Sequence, residues 1–351
     1  MNVEVSRLLI IFIFVSCILT YRGVLSTTIE WPSLLSSPFT DEYPKYTPLL
    51  DVIRNWNPDN ADPPEHFIET LQHFNYSNLE ERRIAEQFRN AEIPFKLYGV
   101  PNINEVKAKW TNEYLTEQMS KDTSVRAEIS KNNHFMFWKR KHYKNFNPPT
   151  EFVDMPFTKF LSIAQRADAD KYAADIQHFY FHKGEAMYAP RSTFIGRDIT
   201  IFTPGEDSFF VKKWKYNKGI QCRFGMRGVI AETHYDSGRN MIAMLKGSKR
   251  YILTPPHTCP RIGIISDVKH PSYRHSVIDW SDISQAQSNH FEEVDSIDTI
   301  VRAGEILYVP SYWFHYIVSL EYSIQCNTRS GSPEQDQGKA EIDKCFGGRG
   351  I

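Results

Sequence analysis

Very little in this sequence is lopsided, and the shortages come first. Lysine and arginine total 41 against 42 acidic residues, a formal net charge of -1. Such a balance writes no basic footprint for nucleic acid and no acidic tail into the composition, although it leaves room for a local patch. Cysteine is scarce. Cys17, Cys222, Cys259, Cys326 and Cys345 are too few and too scattered for a disulfide framework, and no CxxC pair suggests zinc. Cys222 and Cys326 fall inside strand-like runs and read as small buried hydrophobes. No internal repeat and no low-complexity segment occurs, which sets aside repeat arrays. The apolar run from Leu8 to Thr20 falls short of the ~20 residues a membrane-crossing helix needs. What is present is size: 351 residues, 41% hydrophobic and 14% aromatic, enough for one large domain or two smaller ones with a core.

Residues 1–26 read as a targeting segment. Arg7 gives a positive start, partly offset by Glu4, and Val24 and Ser26 place small side chains where a signal peptidase cuts. A cleaved signal peptide is expected. An uncleaved signal anchor and a buried helix are the alternatives, the last weakened by the run's lack of a polar face. Asn75-Tyr76-Ser77 is a glycosylation sequon usable in the secretory lumen. The expected location is therefore the secretory pathway, either the endoplasmic reticulum lumen or outside the cell. An uncleaved anchor would make it a single-pass membrane protein with a lumenal body.

Residues 27–150 are expected to form a helical region resting on a β domain. Pro63-Pro64-Glu65 looks like a helix start, because proline fits the first turn at no loss. Leu79 to Asn90 is charged with a sparse apolar stripe and reads as a solvent-facing helix. Ile93 to Val100 is a short extended run, a helix starts near Trp110-Thr111, and Phe135 to Trp138 is a strand candidate. Met155 to Leu161 opens another helix.

From His178 onward short apolar runs alternate with turn residues. Strands are expected at 221–226, 241–245, 250–253, 305–309, 316–320 and 322–327, punctuated by Gly225, Gly247, Pro255-Pro256 and Pro310. Many short strands with turn signals point to a barrel or sandwich of antiparallel strands. Residues 254–303 read as a long loop carrying His257, His270, His275 and His290, none at a spacing tied to a metal.

The chemistry gathers at Thr233-His234-Tyr235-Asp236 and at His315. Side chains two apart leave a strand on one face, so His-x-Asp supplies two ligands from one strand end. Two imidazoles and one carboxylate form the facial set that holds divalent iron with positions left open opposite. A lone His-x-Asp is weak evidence, and what surrounds this one strengthens it. Phe224 to Asp236, then Asn240, then Leu245 to Pro256, then Ala303 to Tyr316 together resemble a JmjC domain of the cupin-8 family, nearest its asparaginyl hydroxylase branch. The likeness covers roughly residues 150–330.

That resemblance implies a mainly β fold with flanking helices: a double-stranded β-helix, or jelly roll, over 151–335, preceded by the helical region and followed by a tail over 336–351. It implies Fe(II) held by His234, Asp236 and His315, with 2-oxoglutarate as cosubstrate. Carried over, Lys249 pairs with the far carboxylate of 2-oxoglutarate, and a fixed cation is what a buried dicarboxylate needs. Lys246 and Arg250 read instead as solvated strand residues. Tyr180 either adds a phenol hydrogen bond or is a core tyrosine. Asn240 and Asn327 either line the same pocket or are turn and strand-end asparagines. Where that branch places a threonine three residues before the first metal histidine, this chain has Ala231. One hydrogen bond to the cosubstrate is missing, worth about 1 kcal/mol.

The implied activity is a dioxygenase that hydroxylates a protein side chain. Demethylation and hydroxylation of a tRNA base are disfavoured by the targeting segment, so a protein substrate and no nucleic acid are expected. A membrane is expected only with an uncleaved anchor, and a homodimer is left open. The rival outside catalysis is a lumenal JmjC-like partner protein. A simple cupin dioxygenase without 2-oxoglutarate would leave Lys249 without a role.

Overall fold

Alternation builds the centre of this molecule. In Phe314-His-Tyr-Ile-Val-Ser319 the odd-numbered side chains His315 and Ile317 reach a central cavity, while Phe314, Tyr316 and Val318 join the apolar core on the other face. The computed structural model describes residues 43–120, 125–171 and 176–348. The expected targeting segment and Cys17 lie outside the described residues.

The first strands are β1 (Thr47–Pro48), β2 (His73–Asn75), β3 (Phe95–Tyr98), β4 (Val125–Ser130), β5 (His134–Phe135), β6 (Thr150–Met155), β7 (Phe179–Glu185) and β8 (Ile220–Gly225). They are followed by β9 (Ile230–Tyr235), β10 (Asn240–Lys246), β11 (Ser248–Thr254), β12 (Asp295–Arg302), β13 (Ile306–Val309), β14 (Phe314–Ser319) and β15 (Ser323–Arg329). One sheet has six strands in the order β1-β12-β11-β14-β9-β5, and the other has nine in the order β2-β3-β13-β10-β15-β8-β7-β4-β6. Both contribute side chains to the cavity between them, the arrangement of a jelly roll.

Each sheet has its outer face covered. Behind the six-stranded sheet, Tyr316 stacks on Trp280 at 5.4 Å, within a cluster that also takes in Leu49, Ile53, Phe291 and Ile342. Behind the nine-stranded sheet, Phe157 and Phe160 of the helix Phe157–Ala169 pack on Phe181.

Several expectations change here. The boundary near residue 150 is absent: β1 to β5 come from the N-terminal region and extend both sheets, and the described residues from Pro44 onward belong to one compact unit. No helix starts at Pro63. Phe67 packs edge-on against Trp56, and Glu69 pairs with Lys96 Nζ at 2.8 Å, anchors that only an extended chain reaches. The helix Leu79–Asn90 does form, capped by Asn78, but it buries Ala85, Phe88 and Arg89. The strand near Phe135 ends at that residue, so Met136 to Trp138 lie outside it. The stretch 254–303 is no plain loop, since it contains the helix Ile283–Ser288 and the whole of β12. The tail from 336 forms the helix Gln337–Cys345.

Two corrections concern single residues. Arg250 is no solvated strand residue: it is fully buried, bonded to Asp298 at 2.7 Å and laid over the Trp56 ring at 4.1 Å. The cysteines are paired as Cys222–Cys326 and Cys259–Cys345. Cys222 and Cys326 stand directly opposite each other on β8 and β15, so two thiols read as isolated hydrophobes are brought together by register.

Candidate metal centre

The site begins with one rung of a ladder. β14 lies antiparallel to β9, with His315 directly across from His234. Their ring centroids are 4.3 Å apart. Ligand atoms of His234, Asp236 and His315 all fall within 4.8 Å of one another, a spacing that a common ion at roughly 2.0–2.2 Å from each can close with small side-chain movements.

Hydrogen bonds orient both rings. His234 Nδ1 lies 2.8 Å from the carbonyl oxygen of Glu232, and His315 Nδ1 lies 3.1 Å from that of Trp313. A carbonyl only accepts, so each Nδ1 donates and each lone pair sits on Nε2. Burial, reinforced by the neighbouring His315 and His275, holds His234 well below its ordinary pKa. Burial also lowers His315. Neutral rings with open Nε2 atoms are what metal ligation requires.

Asp236 is ionised for a different reason. Burial opposes its charge, but Arg329 and Arg274, 2.5 and 3.1 Å from Oδ1, hold the carboxyl far below the usual range. Asn240 Nδ2 donates to Asp236 Oδ2 at 3.2 Å, and Asn327 Nδ2 donates to Asn240 Oδ1 at 2.8 Å. The two asparagines thus line the cavity and also form a relay that steadies the carboxylate.

A bulge explains why a position three residues before His234 shares its cavity. Ile317 pairs with Ala231 while His315 pairs with His234, so Glu232 and Thr233 together oppose the single Tyr316. The extra residue turns Ala231 onto the same wall as His234.

The cavity measures ≈ 140 Å³, and one end of it is positively charged. Lys249 on β11 is fully buried, with Nζ donating to Tyr180 Oη at 3.3 Å and lying over the Tyr180 ring at 5.0 Å. Tyr180 forms the wall in front of it. Burial, then the charge of Arg223, pulls Lys249 down to about 7. Arg223 itself faces the cavity, and among the described residues its side chain bonds only the adjacent Cys222 carbonyl, at 3.3 Å. The lone carboxyl at this end, Glu128, is pushed up to about 7 by burial despite Arg223 and Arg126. Two basic side chains that make no ion pair among the described residues fit a dicarboxylate. Gly225 makes room for one of them, since a Cβ there would meet Ser319 Oγ at 2.3 Å and Lys249 Nζ at 3.2 Å.

Several residues around the centre escape sequence reasoning. His275 stacks on His234 at 4.9 Å and is itself flanked by Phe137. It comes from the stretch 254–303, which is hooked to β9 where Ser276 N donates to the Thr233 carbonyl at 2.9 Å. Arg274, one residue earlier, holds a left-handed φ of 68°, a conformation costing roughly 1 kcal/mol outside glycine, and bonds the Tyr235 carbonyl as well as Asp236. His134 bridges Glu232 and Asp59. Burial opposes its charge, but those two acids push it up to about 10, so it is an imidazolium. Only Arg329, two residues beyond Asn327 on one strand face, was within reach of a period-two reading.

Comparison with known proteins adds four findings. A family model described as a cupin-like domain, cupin-8, matches residues 81–328. The protein named tRNA wybutosine-synthesizing protein 5 of Gallus gallus is 23% identical over 268 residues, covering 70% of this chain and 73% of its own. Its namesake in Homo sapiens is 24% identical over 245 residues, covering 67% and 70%. Lysine-specific demethylase JMJ30 of Arabidopsis thaliana is 29% identical over 107 residues, which is 30% of this chain and 24% of the relative.

Proposed function

The chain belongs to the cupin-like, or cupin-8, family of JmjC-type domains, and from that premise we propose that it is an oxygenase dependent on Fe(II) and 2-oxoglutarate that hydroxylates a protein side chain. The observation that carries this reading is the rung joining His234 to His315, with Asp236 beside it and both Nδ1 atoms tied to carbonyls. Together iron and 2-oxoglutarate would supply the oxidising power to activate molecular oxygen and place one of its atoms on a substrate carbon. The protein's part is to hold, orient and exclude water. His234 Nε2, Asp236 and His315 Nε2 would hold the ion, and the Asn327–Asn240 relay keeps the carboxylate turned toward it. Lys249, Tyr180 and Arg223 would seat the far carboxylate of the cosubstrate. Ile242 and Ile317 give the wall apolar stretches that keep water sparse.

The test is an anaerobic titration of iron-loaded protein with 2-oxoglutarate, watching for the visible charge-transfer band. The band should form, and should be lost in His234→Ala and Lys249→Ala. Bound iron without a band would end the 2-oxoglutarate reading and favour a simple cupin or a non-enzymatic partner protein.

A second reading follows from the relatives named for tRNA wybutosine synthesis. In it the substrate is a tRNA, and succinate release should rise with tRNA and not with protein extracts. The protein reading is supported by features that fit a secretory protein. The sequence starts with a signal-like segment, Asn75-Tyr76-Ser77 is a sequon, and two cystines suit an oxidising compartment. Location in the secretory pathway is part of the proposal. Among the described residues no helix is long and apolar enough to cross a membrane.

A further inference from the structure

The metal cavity does not end at Asp236. Past Arg274 and Arg329 it continues into a groove of ≈ 610 Å³ that shares Phe137, Asp236 and both arginines with it. Apart from Asp236, the charged side chains that line this groove are all basic. Lys139 reaches it from the chain after β5, and Lys213 and Lys218 reach it from the chain before β8. No ion pair ties any of these three lysines to a carboxylate among the described residues. The acid that feels Lys213 is Asp207, whose carboxylate is bonded to the Trp214 N–H at 2.8 Å. The lining acid, Asp236, is already paired with Arg274 and Arg329. Two large apolar side chains also stay in water here, Phe137 at 43% and Tyr216 at 68% exposure. Phe137 immediately precedes the run Trp138-Lys-Arg-Lys-His-Tyr-Lys144, and Tyr216 lies within Lys212-Lys-Trp-Lys-Tyr-Asn-Lys218, two basic runs whose charge a net of -1 conceals.

We infer that this groove docks an extended acidic protein segment, which carries the residue to be oxidised into the metal cavity. The inference rests on the protein-oxygenase reading above and names its substrate class. Charge complementarity selects an anionic partner. Three separate lysines are mobile point charges, which suit carboxylates spaced irregularly along a peptide. Size separates a peptide from a polynucleotide. A space of ≈ 140 Å³ is about that of an engineered cavity that takes one benzene, and the cosubstrate must share it. With so little space beside the cosubstrate, the slim end of a side chain suits the site better than a nucleobase does. The two cystines point the same way, because the compartment that keeps them oxidised is one of secreted and lumenal proteins.

The test is fluorescence anisotropy on the full chain, without iron or cosubstrate. The probes are a labelled dodecapeptide of alternating acidic and small residues around one asparagine, its counterpart with amides for acids, and an oligouridylate of the same length. The acidic peptide should bind at least about tenfold more tightly than the neutral one and weaken as salt is raised. The triple variant Lys139→Gln, Lys213→Gln, Lys218→Gln should bring it to the neutral level. The variant Lys107→Gln, Lys159→Gln, Lys344→Gln, equally reduced in charge but outside the groove, should bind like the parent. Equal binding of the two peptides, or equal loss in both variants, overturns the inference. Tighter binding of the oligouridylate overturns it in favour of RNA. Because no iron or cosubstrate is present, a missing charge-transfer band would count against the oxygenase reading alone, and loss of peptide selectivity against the groove alone.

Discussion

An ammonium buried among aromatic rings keeps its proton readily only when an anion arrives to share the space. Lys249 sits at about 7 because of burial first and Arg223 second. A carboxylate placed against it would raise that value, so binding above pH 7 must take up a proton. The sign follows. Below about 7 the lysine is charged with or without ligand, and its contribution to cosubstrate affinity is flat. Above about 7 affinity should fall, toward tenfold per pH unit, until the pKa of the bound state is passed. Anaerobic titrations at several pH values measure this, and Lys249→Arg should flatten the curve while weakening binding, since a planar fork does not replace a point charge. A wild-type profile without slope would remove Lys249 from the anion site. The asparagine relay offers a second test at this scale. Asn240→Ala leaves Asp236 Oδ2 without its donor and strands Asn327, so metal affinity should drop about tenfold to a hundredfold. Titration of the metal-free variant with Fe(II) or Mn(II) reads that loss directly.

At the scale of elements, the bulge in β9 decides which residues meet the cosubstrate. Ala231 faces the cavity opposite Ile317 and beside Phe135 of β5, and it carries no hydroxyl. Ala231→Thr should therefore add one hydrogen bond and strengthen 2-oxoglutarate binding about fivefold, the equivalent of ~1 kcal/mol, with metal affinity unchanged. No gain would mean that the bulge presents position 231 to something other than the cosubstrate. The bulge also shows where legibility stops. β14 could be found from the apolar, β-prone run Tyr-Ile-Val, and His-x-Asp could be found because period two is a local property. Nothing in Ala231-Glu-Thr-His234 marks an extra residue, since a bulge is a count against a partner strand. β12 was hidden by Asp295 and Asp298, which look like loop residues until Asp298 is seen to answer the buried Arg250. His275 and Arg274 were invisible because their approach to His234 depends on how the chain after β11 wraps back onto β9. The basic groove was hidden in the same way: two separate runs make one surface only after folding.

For the whole molecule, the two cystines connect stability with location. Cys222–Cys326 joins neighbouring strands behind the cavity, across a sequence separation of 104, and Cys259–Cys345 ties the C-terminal helix to the turn at Pro256–Thr258, across 86. Closing loops of that length removes freedom from the unfolded chain, so each bridge should add roughly 2–4 kcal/mol. That contribution exists only where thiols are oxidised. Cys345→Ser should accordingly lower the melting temperature and release the helix Gln337–Cys345, seen as earlier proteolysis there, while the iron site at the other face of the sheet keeps its affinity. Added reductant should lower the parent protein to the level of the doubly reduced chain and leave a variant lacking both bridges unmoved. Expression in animal cells with the native N-terminus ties this to location. Secretory entry should yield a protein with no free thiol among these four cysteines and a glycan at Asn75 removable by endoglycosidase. Four free thiols on an unglycosylated cytosolic chain would withdraw the secretory proposal, and with it one of the two arguments that favour a peptide over RNA in the groove.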